Sequence, residues 1–408
     1  MQCRICHSKS LTKFLDLGHT PTADDFLSPN RLTEPEVYYP LEAFICNGCS
    51  LVQIGYVVPP EMLFNETYPY ESSTTKTGVA HFHSLAQEAV SRFRLTQKDL
   101  VVDIGSNVGV LLQGFKNQGI VNVLGVEPVR NIGEIAIKRG IETIHDFFSE
   151  ALSRTITKER KKAKVVTGTN VVAHINDLHS LVRALDILLD DDGVFIFEAP
   201  YLVDLIENLE YDTIYHEHLS YLSVKPVSIL FHTFGMEIFD VEKVDIHGGS
   251  LRYFVARKNA YPISSNVDKF LELEKEKRIY EHDTLKNFAT SVQHNREELI
   301  WMLKSIKHEG KRIAGVSAPA KGMTLLNYCR IGPEILDFVT EKSTLKIGKY
   351  TPGTHIPVLP DSELIKQKPD YALLLAWNFA DEIIKNLKNY KDAGGKFIIP
   401  IPKPHIID

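Results

Sequence analysis

The chain has 408 residues, more than one hydrophobic core usually supports, so two or three domains are expected. Its 44% hydrophobic and 24% charged residues are those of a folded globular protein and exclude a disordered or fibrous one. A net charge of −6 gives no positive field to hold nucleic acid or an anionic membrane, and no apolar run is long enough to span a bilayer.

The opening MQCRICHSKS lacks the apolar core of a secretory signal, so a cytoplasmic protein with reduced cysteines is expected. Up to about Pro60 the chain is turn-rich, interrupted by Pro21, Pro29, Pro35 and Pro40, and reads as a small metal-stapled module. Cys3 and Cys6 form one C-x-x-C pair, Cys46 and Cys49 a second, and each can bring two thiolates to one tetrahedral ion. CRICH also matches the haem-attachment pattern, but covalent haem needs export and would leave the second pair idle. Structural zinc is therefore expected, held by four cysteines with no open position for substrate. Cys329, in LLNYC, reads as core.

From Leu100 to about Arg257 strands and helices alternate: LVVDIG, a helix from about Val108, VNVLGVEP, a helix through Lys138, KAKVVTGTN, the helical LHSLVRALDILL, and GVFIFEAP. That alternation predicts a parallel sheet covered by helices. VVDIGSNVG ends its strand on Asp103 and turns through Gly105, Asn107 and Gly109, where the glycines let a ligand approach the backbone. It is not the G-x-G-x-x-G fingerprint of dinucleotide binding. About twenty residues on, VLGVEP closes the next strand on Glu127, a carboxylate able to accept both hydroxyls of a ribose. Strand, turn, helix, strand and acid in this order resemble the S-adenosylmethionine site of class I methyltransferases. That fold often presents an acid near the adenine, which makes Asp146 in IHDFF a candidate, with a solvated loop residue as the alternative. Asn170, at the end of KAKVVTGTN, joins the cofactor-binding candidates.

YHEHLSY, residues 215–221, crowds two imidazoles, a carboxylate and two phenols into one short run, which must sit in water or act together. No H-x-x-x-H pattern links the histidines, and no second metal is expected. From Val267 to Lys307 apolar residues recur at three- and four-residue steps, predicting helix that joins two domains. A second alternating block follows, with KRIAGVSA, ILDFVT, DYALLLAW and KFIIPIP as strands. Within it AGVSAPAKG leads to Lys321 at a helix start, an anion site by virtue of free backbone N–H groups and the lysine charge. KIGKYTPGTHIP adds Lys349 and Tyr350 in a loop bounded by proline and glycine. Together these residues can hold a diphosphate and its base; the alternative is a fold-stabilising turn with solvated lysines.

In order, CRIC, CNGC, YPYESS (68–73), DIGSNVG, NVVAHINDLH, YHEHLSY, HGGSLR and GVSAPAKG resemble the sugar C-methyltransferases of nucleotide-linked 4-keto-6-deoxy sugars, typified by C-3 methylation of a thymidine-diphosphate sugar. The resemblance covers nearly the full length. It implies an α/β protein in three parts: a zinc-binding module (1–66), a class I, Rossmann-like methyltransferase domain (67–257), and a second Rossmann-like α/β domain that holds the nucleotide sugar (258–408). Methylating carbon requires a proton to leave the carbon beside a ketone, and histidine suits that task. The resemblance makes His218 the base, with Glu217 holding the sugar or orienting the imidazole. Tyr215 and Tyr70 are phenols able to meet enolate charge, and His174 is the other candidate in the pocket. His216 is expected to be structural, because alternation in an extended run points it away from His218, and Tyr221 to be packing. The expected partner is a nucleotide-activated sugar, with no nucleic acid and no membrane, and the sequence leaves the oligomeric state open, a monomer included. Two rivals stand beside this reading: a nicotinamide-dependent epimerase or reductase of the same sugars, and a non-catalytic zinc-ribbon interaction protein.

Overall fold

The computed structural model describes residues 1–66, 68–73, 75–246 and 248–408. His247, in HGGSLR, lies outside them. The first sheet is built from β1 (Leu11–Thr20), β2 (Tyr39–Cys46) and β3 (Val52–Ile54), all antiparallel. Three regular strands stand among the turns that the sequence shows in this region. Pro21, Pro29 and Pro35 fall in the β1–β2 connection, and Pro40 sits at the second residue of β2, where a strand tolerates it. Leu11 pairs with Cys46, so the sheet itself brings the end of β2 back beside the Cys3–Cys6 turn.

The central sheet contains β4 (Val101–Ile104), β5 (Val123–Val126), β6 (Thr143–Ile144), β7 (Ala163–Thr169) and β8 (Leu189–Pro200). After a detour through β9 (Ser220–Tyr221) it is completed by β10 (Met236–Val244) and β11 (Ser250–Arg257), in the order β10-β11-β8-β7-β4-β5-β6. β4 to β8 are parallel, and every residue of β4 and β5 is buried, as strands covered on both faces require. β10 and β11 add an antiparallel edge. Because β5 and β6 lie on one side of β4 while β7 and β8 lie on the other, the neighbours β4 and β7 form the switch point at whose carboxyl ends α/β sheets bind ligands. β9 leaves this sheet entirely. Val52 pairs with Tyr221 and Gln53 with Ser220, so the end of YHEHLSY is the fourth strand of the first sheet.

Two helices, Ser265–Glu276 and His282–His308, occupy the stretch read as helical. The third sheet comprises β12 (Ile313–Val316), β13 (Val339–Glu341), β14 (Val358–Pro360), β15 (Tyr371–Leu374), β16 (Lys396–Ile399) and β17 (His405–Ile407), ordered β14-β13-β12-β15-β16-β17. All pairs are parallel except β16 with β17. Buried Asn295 in the long helix ties the parts together: it accepts from Tyr211 Oη at 2.8 Å and donates to the carbonyls of Pro400 and Pro402 at 2.8 and 2.9 Å. No helix among the described residues is long and apolar enough to cross a membrane.

Candidate active site

Cys3 Sγ lies 3.4 Å from Cys49 Sγ and Cys6 Sγ 3.4 Å from Cys46 Sγ, and all four sulfurs lie within 4.8 Å of one another. A tetrahedral ion with Zn–S bonds of about 2.3 Å sets its sulfurs roughly 3.8 Å apart, so the donor set fits zinc and leaves no open position. The knuckle reaches further than its cysteines. Arg4, buried, donates to the carbonyls of Ile54 and Leu219, both at 3.0 Å, and to Asn176 Oδ1 at 3.1 Å, while His179 Nε2 donates to the Ile5 carbonyl at 2.6 Å. Arg4 therefore holds the residue that follows His218.

A cavity of about 1100 Å³ opens at the switch point, and all three parts wall it. Ligand pockets usually run to roughly 300–1,000 Å³, so this one has room for two ligands side by side. On its central wall Asp103 accepts from Thr167 Oγ1 at 2.6 Å, and burial pushes its pKa up to about 7. Gly105 has φ +63°, and a Cβ there would come within 2.5 Å of Val171, so only glycine fits the turn. Asn107 staples the YPYESS segment over the turn: its Nδ2 donates to the Tyr70 carbonyl at 3.1 Å and its Oδ1 accepts the Ser72 N–H at 2.9 Å. Gly109 begins the helix Val110–Asn117 in the left-handed region. Glu127, buried, accepts the N–H groups of Asn107 and Val129 at 2.8 and 2.9 Å, and each oxygen retains a lone pair for a ribose hydroxyl. Asn170 lines the cavity, whereas exposed Asp146 does not; its neighbours Phe147 and Phe148 do. Their aromatic faces escaped the sequence reading, which looked for an acid.

Facing this wall, His218 is fixed at both nitrogens. Nδ1 donates to the Thr213 carbonyl at 2.9 Å, which leaves Nε2 to accept from Tyr215 Oη at 2.9 Å. Burial raises the Tyr215 pKa far above that of free tyrosine, so the phenol stays a donor. Tyr70 lines the same space with 42% of its surface open. His174 packs between Phe64 and His218, at 5.8 and 5.1 Å between ring centroids, and burial lowers its pKa to about 4, so it is neutral at pH 7. Its Nε2 is buried without a partner among the described residues. The run 215–218 is a turn, with the His218 N–H bonded to the Tyr215 carbonyl, so the alternation expected there does not apply. His216 is nonetheless turned away, 1% exposed, with Nε2 donating to the Pro40 carbonyl at 3.3 Å. Tyr221 is buried in β9.

Glu217 lines the cavity beside two residues that sequence reasoning missed, Asp24 and Lys346, whose ends pair at 3.1 Å. One comes from the β1–β2 connection and the other from the third sheet's loops, and nothing local in either stretch announces the meeting. Burial, then the Asp24 carboxylate, raises the Glu217 pKa well above the ordinary value, against the opposing Lys346. The folded protein thus keeps a proton that the unfolded chain has released, and stability falls as pH rises above the ordinary glutamate range. Glu217→Gln should remove that loss, so its melting temperature should gain on the native protein's from about pH 5 to about pH 8. An offset independent of pH would show Glu217 ionised in the fold.

Lys321 lines the cavity, lies over the Trp377 ring at 4.2 Å from its centroid, and bonds Asn378 Oδ1. Lys349 and Tyr350 are placed elsewhere. Tyr350 exchanges backbone hydrogen bonds with Leu27 at 2.8 and 2.9 Å, and Gly353 N–H donates to Glu36 Oε1 at 2.8 Å, so beyond Lys346 this loop is a dock for the β1–β2 connection, and Lys349 and Tyr350 do not line the cavity.

A metal-stapled sheet, a switch-point cavity with a glycine turn and a buried glutamate, and a histidine turn opposite it are the components of a methyltransferase of three parts. Family models agree: a zinc binding domain matches residues 3–64, a methyltransferase domain 79–241, and a C-methyltransferase C-terminal domain 245–402. The chain is 36% identical over 407 residues to the C-methyltransferase NovU of Streptomyces niveus, covering 100% of this chain and 96% of that protein. It belongs to this family of S-adenosylmethionine-dependent C-methyltransferases, which closes the nicotinamide and non-catalytic readings. Among solved structures, a SAM-dependent methyltransferase from Anabaena variabilis is 14% identical over 44% of this chain and 85% of its own, with a TM-score of 0.35. A magnesium protoporphyrin IX methyltransferase from Synechocystis with bound SAM is 14% identical over 45% and 82%, with a TM-score of 0.34.

Proposed function

We propose that the enzyme methylates a ring carbon, C-3, of a nucleotide-linked 4-keto-6-deoxy sugar through base-catalysed enolate formation. The observation that carries this reading is the chain Tyr215–His218–Thr213, which offers an acceptor nitrogen and a phenol donor to one point of the cavity. The methyl donor fits beside the Gly105 turn, with Glu127 for the ribose, and when bound supplies an electrophilic sulfonium methyl. His218, its tautomer set by Thr213, takes the proton from the carbon beside the ketone. For that to happen the Tyr215 phenol swings from Nε2 to the ketone oxygen, where it meets the enolate charge with Tyr70 as a second donor. Glu217, neutral by its burial, donates to a sugar hydroxyl without adding negative charge near the enolate. Lys321 stands on the far wall, where a diphosphate would bring its charge.

Mass spectrometry of products from a panel of nucleotide sugars tests the assignment. The 4-keto-6-deoxy members should gain one methylene unit, at C-3 by NMR, and their 4-hydroxy counterparts none. Methyl transfer to hydroxyl sugars, or to none of the panel, would overturn it.

A further inference from the structure

The helix Lys76–Arg92 turns Thr77, His81 and Ser84 to the cavity, at the i, i+4 and i+7 spacing of one helix face. His81 Nε2 donates to Glu198 Oε2 at 2.7 Å, and Arg252 Nε donates to Glu198 Oε1 at 2.8 Å. Glu198 is 1% exposed, Arg252 is 4% exposed, and Arg252 also bonds Glu88 at 2.6 Å. The Glu198 carbonyl accepts the Asn170 N–H at 2.9 Å, which sets this buried ladder directly behind the cofactor wall. Neither the zinc, the proton abstraction nor the sugar site makes use of it.

Other cation-forming side chains on the described cavity wall are engaged elsewhere. Lys346 bonds Asp24 and the Ala318 carbonyl at 3.1 and 2.8 Å, and Lys321 lies against Trp377 and Asn378. His218 is held by Thr213 and Tyr215, and His174 is neutral. His81 has one ring nitrogen on Glu198, and among the described residues Nδ1 has no hydrogen-bond partner. We infer that His81, oriented by Glu198 and Arg252, receives the carboxylate of the amino-acid part of the methyl donor. With Nε2 donating to Glu198, donation from Nδ1 to that second carboxylate makes the ring an imidazolium clamped between two acids, a charge-assisted arrangement. The inference rests on the donor lying at the Gly105 turn.

Two ligands test it by calorimetry. S-Adenosylhomocysteine carries the amino acid, whereas 5′-methylthioadenosine has the same nucleoside and thioether without it. His81→Ala and His81→Phe should each weaken S-adenosylhomocysteine roughly tenfold or more and leave 5′-methylthioadenosine within about twofold. Glu127→Ala should weaken both alike, because both carry the ribose. Equal loss of the two ligands in both His81 variants, or loss of neither, overturns the role of His81 while the donor site stands. Failure of Glu127→Ala to weaken either ligand, or of the native protein to bind them, overturns the donor site and this inference with it.

Discussion

His218→Asn should keep the fold and bind the methyl donor normally, yet lose methyl transfer and, with it, exchange of the substrate hydrogen beside the ketone for solvent deuterium. Exchange is the sharper measurement, since it reports proton removal alone and can be followed with S-adenosylhomocysteine in the donor site. Loss of a general base typically costs about 10²–10⁴-fold. His216→Asn should cost little by comparison, because its imidazole is buried against Pro40. Tyr215→Phe separates two roles of one phenol: it should slow exchange by removing the donor that meets the enolate, while leaving Nε2 free to act. Native exchange in His218→Asn, with exchange abolished in Tyr215→Phe, would move the base from the imidazole to the phenol.

Removing the zinc should cost far more than the small sheet that carries it. Structural zinc contributes on the order of 10–16 kcal/mol in small peptide sites at neutral pH. Here the knuckle also holds Arg4, whose bonds to Ile54 and Leu219 hold the chain next to His218. Elemental analysis should find one zinc per chain. Chelation, or Cys49→Ser, should lower the melting temperature and abolish deuterium exchange together, and added zinc should restore both after chelation. Arg4→Met, which leaves the four thiols intact, should keep the metal and slow turnover. Freshly purified protein with reduced thiols, no zinc and full activity would refute the structural role.

The strands and the turn on this side of the cavity were legible because each of their signals is local: β4 and β5 are short, mainly apolar and fully buried, Gly105 and Gly109 have positive φ, and Glu127 directly follows its strand. The cysteine pairs were legible for the same reason. What escaped reading depends on partners distant in the chain. β9 has two residues, too few to show a period, and its pairing with β3 exists only across the fold. The loop with Lys349 and Tyr350 has visible turn chemistry, but its use was decided by Leu27 and Glu36, residues with no motif of their own. Asp24, Lys346 and His81 belong to the same class: ordinary surface-type residues made special by what they meet.

That pairing of β3 with β9 has a consequence for how the protein is made. On the ribosome the open edge of β3 emerges long before Ser220 and Tyr221, a gap on the order of 10–30 s at ordinary elongation rates. An unpaired edge is a site for wrong pairing, and here it belongs to a stretch of chain that also carries the two thiol pairs. Early capture of a metal ion would hold that nascent sheet in one register while it waits. The part synthesised first is completed only when the histidine turn arrives to close it, so chimeras that exchange the first sixty or so residues between relatives would need to carry the matching β9 with them.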